Sequence, residues 1–88
     1  MKSFTTMSDT AIKTFNWLTN ERAKSIIGIA KRHGAKVKRV AQQRGALGKI
    51  KVIVTVNAGS WAASNSIIAK IVTEARDAGL VNELTFNL

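Results

Sequence analysis

Eight of the fourteen basic residues crowd into positions 31–51: Lys31, Arg32, Lys36, Lys38, Arg39, Arg44, Lys49 and Lys51. His33, the sole histidine, lies among them. Residues 1–51 hold twelve bases and two acids, a balance of +10, whereas 52–88 hold two bases and three acids, −1, which together make the net charge of +9. Side chains of this type recruit polyanions, of which nucleic acid is the commonest. Contacts between such cations and phosphates give affinity with little sequence readout.

Catalysis has no comparable constellation. The acids Asp9, Glu21, Glu74, Asp77 and Glu83 show no metal-ligand spacing, and the chain has no cysteine to serve as thiolate or ligand. A nucleophile, a base and a group to orient it cannot be assembled around His33. A non-enzymatic protein without metal or cofactor is therefore expected, binding nucleic acid, DNA or RNA, through the eight cations named above. A second class shares the same chemistry: an inhibitor or adaptor module that sets its basic face against an acidic protein partner. No membrane partner is expected, since no stretch approaches the roughly 18–20 apolar residues of a span. The opening MKSFTTMSD lacks the apolar core of a signal peptide, and a cysteine-free chain suits a reducing cytoplasm.

The residues that could position these cations show clear periods. Residues 1–9 carry none and read as a flexible terminus ahead of one domain, 10–88. In Lys49–Asn57 (KIKVIVTVN), Ile50, Val52, Val54 and Val56 alternate with Lys51, Ile53 and Thr55. Four aliphatics at strict period 2 mark a half-buried strand with one apolar and one polar, basic face. Residues 11–19 read as another strand, with Phe15 and Trp17 on one face and Ile12 and Leu18 on the other. Apolar groups on both faces predict a central position for it. A helix over 20–33 has Thr19 or Asn20 as cap, a stripe of Ala23, Ile26, Ile27 and Ala30, and Gly34 at its left-handed end. A second helix, 60–78, is capped by Ser60 or Ser64 and closed by Gly79. Residues 36–44 carry Val37 and Val40 three apart, which fits a helix or a bulged strand. Leu84, Phe86 and Leu88 alternate with Glu83, Thr85 and Asn87 as a last strand, 82–88.

The two halves then match as βαβ units, and the order β-α-β-β-α-β predicts a ferredoxin-like α+β sandwich. Two helices would cover one face of a four-stranded antiparallel sheet and leave the other open. The second strand would sit at one edge, guarded by its cations. The fourth, lightly charged, would sit at the other and serve as a homodimer contact.

The same order resembles that of RNA-recognition-motif proteins, which stack bases on aromatics of their central strands. Lys49–Asn57 has none, so only Phe15 or Trp17 could play that part. Gly45 to Gly48 resembles the phosphate-clamping GxxG of KH domains, but a strand follows it at once, which makes a hairpin turn the better reading. Residues 26–44 also resemble a helix-turn-helix, with Ala30, Gly34 and Val40 at its small, turn-glycine and apolar positions. That resemblance would put Lys36, Lys38 and Arg39 on a DNA-recognition helix.

Overall fold

The chain forms β1 (Thr10–Leu18), α1 (Asn20–Arg32), β2 (Lys36–Ala41), β3 (Ile50–Asn57), α2 (Trp61–Asp77) and the single turn α3 (Glu83–Phe86). These elements come from a computed structural model that describes residues 9–41 and 48–86. β3 lies between β1 and β2 and pairs antiparallel with both, so the sheet has three strands in the order β1-β3-β2. Along β3, Ile50, Val52, Val54 and Val56 are buried, and the helices cover that face. Across the layers they meet Phe15 and Leu18 of β1, Ile26 and Ile29 of α1, and Ile68 and Ile71 of α2.

Both long helices end in the same way. Ala35 N–H donates to the Ala30 carbonyl and Gly34 N–H to that of Lys31, while Leu80 donates to Ala75 and Gly79 to Arg76. These are paired Schellman closures, and Gly34 and Gly79 take the positive φ that the motif requires. At the other ends, Thr19 accepts from Arg22 N–H and Ser60 from Ala63 N–H. Ser64 is not the cap. Fully buried, it accepts from Ala58 N–H at 2.9 Å and donates to the Asp9 carbonyl at 2.6 Å, which ties the turn after β3 to the start of β1.

The four-stranded ferredoxin-like sandwich is overturned at its last element. Residues 83–86 are a helical turn, so the described residues contain no fourth strand and no fourth-strand edge for a homodimer contact. Local chemistry explains it: Asn82 Oδ1 accepts from Thr85 N–H at 3.2 Å, and Thr85 Oγ1 accepts from Asn82 N–H at 3.1 Å. This reciprocal pairing is the geometry of a capping box and starts a helix where alternation predicts a strand. Thr85 is buried by it, and Phe86 packs on Phe15 with ring centroids 5.7 Å apart. Lys13 Nζ lies 4.4 Å from the centre of the Phe86 ring and the Arg76 guanidinium 5.5 Å from it.

Two further expectations are corrected. β1 is an edge strand, not a central one. β2 pairs with β3 in unbroken register from Lys36↔Thr55 to Ala41↔Ile50, so it is neither bulged nor a recognition helix. Val37 pairs with Val54 on the helix side and Val40 with Lys51 on the open side, which is why their spacing of three fits no single face.

Phe86 thus holds α3 against β1. Phe86→Ala should lower stability by about 2 kcal/mol, below the full core value because the ring is only half-buried. Urea unfolding measures it; an unchanged midpoint would show that α3 is not docked.

Candidate functional site

The three strands carry five cations, Lys13, Lys36, Lys38, Arg39 and Lys51, and no carboxylate. Register sorts these cations by face, because residues opposite each other on paired strands share a side. Lys36 opposes Thr55, Lys38 opposes Ile53 and Lys51 opposes Val40, which sets these three on the open face. Ile12, 62% exposed, and Thr14 join them from β1, opposite Thr55 and Ile53. The open face is therefore a basic surface studded with aliphatic and hydroxyl groups.

The remaining expected site residues are scattered. Arg39 opposes Val52 and so lies on the helix side, where its guanidinium donates to Asn20 Oδ1 at the start of α1. Lys31 and Arg32 end α1, on the helix rather than the sheet, and are favourably placed at the negative end of the helix dipole. Arg32 pairs with Glu74 Oε2 of α2 at 3.3 Å. Arg44 lies outside the described residues, as does most of the expected hairpin turn. Lys49 precedes β3 and lines a cleft with Trp17, Arg22 and Asn82.

That cleft was not legible from the charge pattern, because Arg22 is remote in sequence from the basic run. It is shaped by an irregularity in β1. Phe15 pairs with Val52 and Leu18 with Ile50, so Asn16 and Trp17 together oppose Lys51. The extra residue is a β-bulge, and Trp17 has φ 62°, the sole positive φ outside glycine among the described residues. The bulge returns Leu18 to the buried face beside Phe15, which plain alternation would have denied it. Left-handed backbone costs a residue with a Cβ about 1–2 kcal/mol, while burying a leucine contributes roughly 1.5–3. The bulge is thus explained by Leu18. The tryptophan in it is not, since glycine or asparagine takes that conformation more cheaply.

The two aromatics expected as base platforms separate here. Phe15 has no exposed surface and belongs to the core; Trp17 is half-buried. Trp61, 59% exposed, starts α2 in a first turn without acids.

His33 has a partner of its own. Its Nε2 bonds Glu74 Oε1, so Glu74 bridges His33 and Arg32 between the end of α1 and the last turn of α2. The His33 hydrogen bond, aided by the Arg32 charge and opposed by partial desolvation, holds the Glu74 carboxyl below its usual range. The cluster ties two helices together and satisfies the carboxylate that faces the basic helix end. Among the described residues, no three acids or histidines gather as a metal site, and no helix is long and apolar enough to cross a membrane.

Compared with protein-family models, curated proteins and solved structures, the chain gives no significant match.

A depressed carboxyl contributes stability that is present above its unfolded pKa and is lost as pH falls through the folded one. Glu74→Gln should therefore be less stable than the native chain at pH 7. The gap should close from about pH 5 downward as the native carboxylate is protonated. Melting temperatures across pH 3–7 test this; a gap independent of pH would show that the Glu74 charge contributes nothing.

Proposed function

We propose that this is a small, non-enzymatic, cytoplasmic nucleic-acid-binding protein that meets the phosphate backbone with the open face of its sheet. One observation carries the reading: Lys36, Lys38 and Lys51 share that face with hydroxyl, amide and aliphatic groups, and the strands bring no acid to it. Of the acids, Asp9 lies just before β1, Glu21, Glu74 and Asp77 stand on α1 and α2, and Glu83 starts α3. A positive surface without internal pairing holds counterions that a polyanion displaces on binding. Lys49 extends this surface along the chain past the start of β3. Lys31 and Arg32 lie at the end of α1, where an ion pair with Glu74 already engages Arg32. Arg39, turned toward α1, supports the strand more than it adds to the face.

Ile12 supports a second reading. An aliphatic side chain 62% exposed, opposite Thr55 in a row that ends in Lys36, also suits an acidic protein surface with an apolar centre. Comparing labelled single- and double-stranded DNA and RNA with heparin separates the two. A nucleic-acid binder prefers some of these ligands, while a protein-specific module treats them alike.

Reversing Lys36, Lys38 and Lys51 to Glu should abolish measurable binding at moderate salt while the melting temperature stays near the native value. Neutralising the three to Gln should flatten the log–log salt dependence by about 2–3, from 0.7–0.9 per phosphate contact. Lys70→Glu, a reversal on α2, serves as control and should change affinity little. Equal losses from Lys70 and from the sheet lysines would show net charge at work rather than this face.

A further inference from the structure

We propose that the cleft beside the β1 bulge seats one nucleotide unit of a single strand, with its base stacked on the Trp17 indole and a phosphate held between Arg22 and Lys49. The inference rests on the nucleic-acid reading above and adds what that reading lacks, a site that distinguishes unpaired from paired strands.

Four separate segments build the cleft: Trp17 from the bulge, Arg22 from the first turn of α1, Lys49 from the approach to β3 and Asn82 from the cap of α3. Its volume is ≈ 390 Å³, inside the range of about 300–1,000 Å³ usual for small-ligand sites. Arg22 stands at the positive end of a helix dipole, where a cation is unfavourable, and shares the cleft with a second cation. Among the side chains the structure describes, which leave out Glu83, the ion pairs are those of Glu74 with Arg32 and His33, and neither involves Arg22 or Lys49. Two cations sharing one cleft repel each other, and a bound phosphate relieves that repulsion. Asn82 commits Oδ1 to the Thr85 cap, which leaves its Nδ2 amide as a further donor.

The aromatic supplies the other half of the recognition. Trp17 holds a left-handed backbone that Leu18 burial requires of the position but that nothing requires of a tryptophan. Bulges re-aim side chains, and a half-buried indole beside two cations offers a base the part of its π-face that lines the cleft while the cations take the adjoining phosphate. A base reaches an indole only when it is unpaired, so the ligand is a single strand. Lys49 links the cleft along the chain to Lys51, two residues on and on the open face. A strand running over Lys38 and Lys51 is led to the cleft.

The experiment reads Trp17 directly. In a Trp61→Phe background, a ten-residue oligothymidylate or oligouridylate is titrated while Trp17 emission and the anisotropy of a label on the oligonucleotide are followed together. Emission should be quenched in step with the anisotropy rise. Trp17→Gly, which suits the left-handed backbone, should weaken single-strand affinity about 5- to 100-fold, with duplex affinity changed far less. Because that variant also loses indole packing, Arg22→Ala with Lys49→Ala provides an independent route. It should lower the log–log salt slope by about 0.7, the value for one phosphate on a single strand, with the circular dichroism unchanged. Oligonucleotide binding with Trp17 emission and the slope both unmoved would overturn the cleft and leave the sheet-face reading standing. Saturation by a free nucleoside monophosphate at micromolar concentration, with the oligonucleotide no tighter, would overturn the assignment to a strand. Absence of any oligonucleotide binding at low salt would remove both proposals.

Discussion

Everything in this molecule hangs on the two-faced alternation of β3. One side of that strand, Ile50 to Val56, is buried by both long helices, and the other presents Lys51, Ile53 and Thr55. A strand that pairs on both edges cannot shift by one residue without sending four aliphatics into water and a lysine into the core. The register of β1 and β2 is therefore dictated from the centre. So is the identity of the open face, since the residues opposite Lys51, Ile53 and Thr55 must lie beside them. That the lysines point to the open face is a consequence of burying four β-branched side chains.

β1 meets this constraint less easily, and its compromise has a use. Phe15 and Leu18 are three apart, an odd spacing that would bury one and expose the other on a regular strand. The bulge at Asn16 and Trp17 buries both, and the gain from Leu18 outweighs the backbone strain by a narrow margin. A tryptophan at the strained position keeps that margin narrow where glycine would widen it. Departures from local preference of this kind concentrate at functional sites. Here the departure lies in a cleft lined by two cations, Arg22 and Lys49.

What could be read from the residues follows the physics of each element. β3, both helices and their caps were legible because period 2, period 3.6 and the left-handed glycines at 34 and 79 are all local signals. The edge position of β1 was not, because its mixed faces suggested burial on both sides when a bulge was correcting one. The last element misled for a similar reason. Leu84 and Phe86 alternate with Glu83 and Thr85, but Asn82 and Thr85 stand at capping-box spacing, and the hydrogen bonds of the box prevail over the alternation. The cations divided by register, a long-range property: Lys36 and Lys38 fall on one side of β2 and Arg39 on the other. Charge density along a chain says how much positive field there is, and only pairing says where it points.

The edges of the sheet complete the argument. A three-stranded sheet has two edges, and each exposes backbone groups that could recruit another strand. β2 carries Lys36, Lys38 and Arg39 in a row of six residues, so a second copy alongside would bring like charges together. β1 instead receives α3, whose Phe86 ring is held by Phe15, Lys13 and Arg76. Among the described residues, no fourth strand lies beyond β1. The same two arrangements serve the open face. The cations that guard the β2 edge are also the ones presented to a polyanion. The α3 turn that replaces a fourth strand brings Asn82 to the wall of the Trp17 cleft. A fourth strand would have given a more regular sheet, but without that cap there would be no turn to close the cleft beside the bulge.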